Sequence, residues 1–170
     1  MKIVLYMAIT VNGKIAKTND ETPWSSAIWK NYYKIAKNFK AIVLGRRTFE
    51  IMKQADEFKK IGNPFQVILT RRRVPEGSSV SSPNQAIRLL KQNKFKKALL
   101  VGGAKANASF MKESLVDEVI LDVEPQIFGQ GIDLFHQNDF ESKLKLVNVK
   151  RFGSIVQLRY KVIKRQEKYR

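Results

Sequence analysis

Three short segments each set small, hydroxyl or basic residues directly after an apolar run. They are Leu44-Gly45-Arg46-Arg47-Thr48, Leu69-Thr70-Arg71-Arg72-Arg73 and Val101-Gly102-Gly103-Ala104-Lys105-Ala106. A glycine between strand and helix lets backbone approach a ligand closely. The free N–H groups and dipole of a helix N-terminus attract phosphate, and arginine adds bidentate, charge-assisted contacts. Each segment alone also reads as an ordinary turn or a solvated loop. Three in one chain suit a ligand with several phosphates, and the arginines suit the 2′-phosphate that separates NADP from NAD. The usual dinucleotide fingerprint G-x-G-x-x-G does not occur.

Acid–base candidates are few. Asp122 lies inside the apolar run Val119-Ile120-Leu121-Asp122-Val123, where a charged side chain is costly without a partner or a job. It is the candidate catalytic acid; its alternative reading is a side chain facing solvent at a sheet edge. Glu124 falls on the same side of the strand and is the second candidate. His136, the only histidine, has no triad or metal set around it and reads as a surface loop residue. Asp117 and Glu118 are adjacent in a strand and so point to opposite faces. They read as a solvated turn, and no metal site is expected. The absence of cysteine excludes disulfides and thiolate chemistry.

These residues must be positioned by elements, and the apolar pattern supplies them. Ile3 to Ile9, Ala41 to Leu44, Phe65 to Leu69, Ala98 to Val101 and Val119 to Val123 read as buried strands. Helices are expected from about Ser25 to Asn38, Arg46 to Gln54, Ser82-Pro83 onward, and Ala104 to Leu115. Val156, Leu158, Tyr160 and Val162 alternate with polar residues, which marks a half-exposed strand. Leu144 to Lys150 is its expected hairpin partner through Phe152-Gly153-Ser154. Strand and helix alternate, so the expected fold is a single α/β domain. Its mainly parallel central sheet is flanked by helices on both faces and ends in a C-terminal antiparallel hairpin.

The chain has 170 residues, 44% of them hydrophobic, which suits one domain with a sizeable core. The domain is expected over residues 1–163, with 164–170 as a basic C-terminal tail. No apolar run approaches the roughly 18 residues that span a bilayer, and no leader is read at the N-terminus, so no membrane partner is expected and cytoplasm is the default location. The net charge of +17 favours polyanions. The basic residues are spread along the whole length, however, and the aromatics sit in apolar patterns, which argues against nucleic acid.

The ordered set Met7-Ala8-Ile9-Thr10-Val11-Asn12-Gly13-Lys14-Ile15-Ala16, Val43 to Glu50 and Leu100 to Ala104 resembles the dihydrofolate-reductase-like superfamily. Leu115 to Ile120, Pro125 to Phe135 and Phe152 to Tyr160 are similar to its riboflavin-pathway reductase branch. The resemblance implies NADPH as cofactor and a small-molecule substrate of folate or pyrimidine type. It places Ala8, Ile15, Gly45, Arg46, Arg47, Thr48, Leu69, Thr70, Arg71, Arg72, Val101, Gly102, Gly103, Ala104, Lys105 and Ala106 around the cofactor. It also implies a cis Gly102–Gly103 bond, a loop from Thr10 to Ala16 over the nicotinamide, and a homodimer.

Pro23-Trp24 and its spacing to Gly45 match the folate enzymes, making dihydrofolate the first substrate expected. The diaminopyrimidine ribosyl phosphate of riboflavin synthesis is the alternative. The family's acid on the first helix falls on Trp29 here, and no Asp or Glu occurs from Thr22 to Phe49. Asp122 or water must then assist proton delivery. Tyr6, Trp24, Trp29, Tyr33 and Phe49 are the candidates to wall a flat substrate, or else belong to the core. A reading of another class is a basic nucleic-acid-binding protein that lost catalysis; it predicts polyanion binding that survives Arg46→Ala, with no NADPH affinity.

Overall fold

The computed structural model describes residues 1–164. In chain order its elements begin with β1 (Lys2–Thr10), β2 (Lys14–Ala16), α1 (Ser26–Ala36), β3 (Ala41–Gly45) and α2 (Arg46–Gln54). There follow α3 (Glu57–Lys60), β4 (Phe65–Leu69), β5 (Ser78–Val80), α4 (Pro83–Gln92) and β6 (Lys97–Leu100). The last are α5 (Ala104–Lys112), β7 (Glu118–Glu124), β8 (Ile132–Asp133), β9 (Lys143–Phe152) and β10 (Ile155–Ile163). Eight strands form one sheet in the order β5-β4-β3-β6-β1-β7-β10-β9. All pairings from β5 through β7 are parallel, while β10 runs antiparallel to β7 and β9 antiparallel to β10. This is the expected α/β architecture with its terminal hairpin.

Both faces of the central strands are buried, which is why they read as continuous apolar runs rather than alternating ones. Ile3, Leu5, Val43 and Leu100 face one core, closed by Ala86 and Leu90 of α4 and Ala106 and Phe110 of α5. Val4, Tyr6, Leu44 and Leu99 face the other, closed by Tyr32 and Ala36 of α1, Phe49 and Met52 of α2, and Phe58 of α3. Ser25 caps α1 by accepting from the Ile28 amide, and Ser82 caps α4 by accepting from that of Gln85. α2 and α5 start instead at Gly45 and Gly103, with no side chain capping either.

Several boundaries differ from the expected ones. α1 ends at Ala36 rather than Asn38. α5 ends at Lys112, before Ser114 turns the chain at a positive φ of 54°. β2 and β8 form a separate two-stranded sheet joined by the Lys14–Asp133 ion pair at 2.6 Å. Neither strand exceeds three residues, too few for a period to register. Asp117 and Glu118 are not a free solvated turn. Asp117 accepts from the Ile3 amide at 2.8 Å and from Lys164 Nζ at 2.6 Å, and Glu118 pairs with Lys2 at 2.6 Å. Lys164, expected as the first residue of the basic C-terminal tail, is the ion-pair partner of Asp117. Residues 165–170, the rest of that tail, lie outside the described residues.

Candidate active site

The carboxyl ends of β1, β3, β4 and β6 open into one cleft of about 1040 Å³. β6 lies between β1 and β3, so successive crossovers leave in different directions and a crevice opens above the strand ends. All three sequence segments converge there. Gly45, Arg46, Arg47 and Thr48 line it from the start of α2, Leu69, Thr70 and Arg71 from the end of β4, and Val101 with Gly103, Ala104, Lys105 and Ala106 from the start of α5. Two helix N-termini without side-chain caps thus meet at one cleft. Their orphan first-turn amides have no competing side-chain acceptor.

The two turns are tied to each other. The Gly45 amide donates to the Gly102 carbonyl at 2.7 Å, and the Gly102–Gly103 bond is cis, as the resemblance implies. Gly102 itself does not line the cleft; at φ 93° it occupies the region that favours glycine. A side chain at Gly103 would begin 3.3 Å from Thr48 Oγ1, so glycine keeps this floor open. Arg46 is held by Glu50 at 2.5 Å and Arg47 by Asp20, whereas Arg71 and Lys105 have no ion-pair partner among the described residues. Arg72 does not line the cleft; its backbone amide donates to Thr70 Oγ1 at 3.0 Å.

The Thr10–Ala16 segment is tied down rather than loose. Asn12 accepts from Thr10 Oγ1 and donates to the Phe128 carbonyl, each at 2.7 Å, and Gly13 turns the chain at φ 80°. Ile15 and Ala16 face the cleft from this segment, with Ala8 beside them. The opposite half is aromatic. Tyr6, Trp24 and Trp29 line it as expected, joined by Ile28, Tyr32 and Met52. Tyr32 stacks on Tyr6 at 5.5 Å and meets the Trp29 edge at 6.1 Å.

Three expected residues lie elsewhere. Phe49 is 3% exposed and packs on Phe58 in the core, because the helix turns it away from the cleft. Tyr33 stacks on Trp29 from outside, at 6.0 Å, and donates to Glu57. Asp122 is fully buried and does not line the cleft. Its carboxylate accepts from Tyr6 Oη and Asn31 Nδ2 at 2.6 Å and from Gln157 Nε2 at 2.7 Å. It therefore sits behind Tyr6, neither at solvent nor at the reacting space. Glu124 is likewise buried and accepts from Ser25 Oγ at 2.9 Å. Burial, then the Asp122 charge, pushes the Tyr6 phenol far above its ordinary range, so Tyr6 stays a protonated donor.

Sequence reasoning missed Asp20, Tyr32, Glu57 and His136, all of which line the cleft. Tyr32 was legible only as part of a helix face. His136 is exposed, as expected, but its backbone amide donates to the Ala104 carbonyl at 3.1 Å and holds it at the cleft rim. Asp20 and Glu57 are delivered by positive-φ turns at Asp20 and Asp56, and no periodic pattern announces them.

The profile of the RibD C-terminal domain matches residues 1–158. The uncharacterized protein YwjB of Bacillus subtilis (strain 168) is 33% identical over 168 residues, 94% of this chain and 97% of that protein. A putative riboflavin biosynthesis protein from Shewanella sp. PV-4 superposes with a TM-score of 0.81 at 19% identity, over 96% of this chain and 100% of that one. A diaminohydroxyphosphoribosylaminopyrimidine deaminase/5-amino-6-(5-phosphoribosylamino)uracil reductase from Thermotoga maritima superposes with a TM-score of 0.78 at 21% identity. It is matched over 95% of this chain but 56% of its own length.

Proposed function

Since the chain belongs to the RibD C-terminal domain family, we propose that it is an NADPH-dependent reductase of a phosphorylated ribosylamino-pyrimidine. The substrate class is that of 5-amino-6-(5-phosphoribosylamino)uracil, named for the Thermotoga maritima relative. One observation carries the reading: α2 and α5 begin without side-chain caps at a single cleft, beside the unpartnered cations Arg71 and Lys105. That donor set fits a dinucleotide with an additional phosphate. The cofactor residues are proposed to be those the cleft gathers: Ala8 and Ile15 on one wall, then Gly45 to Thr48, Leu69 to Arg71, Val101, and Gly103 to Ala106. Gly102 supports them through its carbonyl.

Bound NADPH supplies a hydride. The chain supplies placement, which can account for a large share of the barrier lowering in a reaction between two oriented reactants. Tyr6, Trp24, Trp29 and Tyr32 flank the substrate half. Asp122 acts as a positioning residue that fixes the Tyr6 phenol, and the proton is left to water admitted by the cleft. The family match favours the pyrimidine over dihydrofolate, and no acid stands on α1 to serve a pterin.

The test is NADPH oxidation, followed by nicotinamide absorbance, with 5-amino-6-(5-phosphoribosylamino)uracil and with dihydrofolate in parallel. Turnover of the pyrimidine is expected, and turnover of dihydrofolate alone would overturn the substrate assignment. Loss of one charge-assisted contact in Arg71→Ala should weaken NADPH binding by about tenfold or more. Unchanged NADPH affinity in that variant would remove Arg71 from the site.

A further inference from the structure

Two buried side-chain oxygens among the described residues have no hydrogen-bond partner, Glu57 Oε2 and Asn107 Oδ1. Of the two residues, Glu57 lines the cleft and Asn107 does not. Glu57 is 8% exposed. Its other oxygen, Oε1, accepts from Lys60 Nζ at 2.7 Å and from Tyr33 Oη at 3.3 Å. Neither Lys60 nor Tyr33 lines the cleft, so both bind Glu57 from outside it. A carboxylate oxygen buried without a donor is expensive, and such groups in a native fold call for an explanation. The aromatic rings of Trp29 and Tyr32, which share the same wall, offer Oε2 no partner.

We propose that Glu57 is the substrate-recognition carboxylate of this site, its Oε2 accepting an N–H or amino group of a flat heterocycle seated against Trp29 and Tyr32. The proposal rests on the reductase reading above and deepens it, because amino and ring N–H groups are what a substituted uracil presents. The carboxylate missing from α1, where Trp29 occupies the expected position, is thus supplied from α3. Burial, then the Glu57 charge, holds the Tyr32 phenol above its ordinary range. Tyr32 therefore remains a neutral wall and not a second anion.

The experiment compares wild type with Glu57→Gln and Glu57→Asp. With 5-amino-6-(5-phosphoribosylamino)uracil as substrate, Glu57→Gln is expected to raise KM by about 10- to 100-fold, the range of one charge-assisted hydrogen bond. Its NADPH affinity should stay unchanged, and its melting temperature is measured alongside, because the amide oxygen can keep the Lys60 and Tyr33 contacts of Oε1 but not the charge of the Lys60 pair. Glu57→Asp keeps the charge but withdraws it by one methylene, and serves if the glutamine variant melts early; a raised KM with unchanged NADPH binding is expected there too. An unchanged KM in a folded variant overturns the proposal.

If wild type does not turn the substrate over, the reductase assignment fails by itself. Glu57 is then read from equilibrium binding of 5,6-diaminouracil by calorimetry. Binding to wild type that weakens about tenfold or more in Glu57→Gln supports the proposal. Equal binding by both proteins, or no binding by wild type, overturns it.

Discussion

At the scale of single residues, the Tyr6–Asp122 pair ties stability to pH. Burial is the largest cause raising the Tyr6 and Tyr32 phenols, followed by the charges of Asp122 and Glu57 respectively. In the unfolded chain both phenols ionise near their ordinary value of 10.0. A raised folded value means that the stability they contribute is complete below that pH and is lost as pH climbs above it. Alkaline titration followed by tyrosinate absorbance should therefore show two phenols that ionise only together with the loss of circular dichroism. In Tyr6→Phe one of them should vanish from that step. Reversible ionisation of both near pH 10 in a folded protein would contradict the burial described for them. Asp122 also shows where residue-level reading stops. Its isolation in an apolar strand made it the candidate acid, but the three donors it meets come from β1, α1 and β10, far away in sequence.

Among the elements, β9 is the one least accounted for by a lone molecule. It is the outermost strand of the sheet, and Leu144, Leu146, Val147 and Val149 are all exposed; a bulge at Val147 sets Leu144, Leu146 and Val149 opposite Val162, Tyr160 and Leu158, on one face. Exposed apolar groups gathered on one element are uncommon on a monomer's surface. Lys143, Lys145 and Lys150 interleave with them, which discourages open-ended edge pairing and leaves a defined partner as the better fit. A second copy of this chain, as the resemblance implies, is the partner proposed. Sedimentation should give the mass of a dimer, and a Val147→Lys, Val149→Lys double variant should sediment as a folded monomer. A wild-type monomer at micromolar concentration would discard the proposal.

The elements also show what could be read in advance. Apolar runs bounded by glycine or a capping serine located the five central strands and the four longer helices that cover them. β2, β5, β8 and α3 carry no apolar run and were illegible, because pairing and turns rather than pattern create them. The phosphate-type half of the cleft was legible for a related reason, since a glycine following a strand is a local signal for exposed backbone. The aromatic half was legible only in part: Tyr6, Trp24 and Trp29 were named in advance, but Tyr32 was not, and Tyr33 and Phe49 lie outside the cleft. Trp29 and Tyr33 are one helical turn apart on α1, yet only the nearer one reaches the cleft.

For the molecule as a whole, the charge of +17 separates the two classes of function. Salt screens exposed charges over about 8 Å at physiological ionic strength. NADPH binding should thus weaken as salt rises, and it should depend on Arg71. A polyanion held by the general field would lose affinity far more steeply with salt and would be indifferent to Arg71→Ala. Titrating NADPH and a single-stranded oligonucleotide across the same salt series distinguishes them. Binding of the oligonucleotide alone would move the protein out of the reductase class. The described residues contain no helix long and apolar enough to cross a membrane and no cluster of three metal-ligating residues.

The bond from the Gly45 amide to the Gly102 carbonyl involves backbone atoms alone. Point mutations elsewhere in the cleft leave its two partners in place, so the part of the cleft it braces is resistant to drift. Trp29, Tyr32 and Glu57 are side chains on α1 and α3, open to exchange one at a time. A lineage built on this fold can therefore change what it reduces without relearning how to hold the reductant.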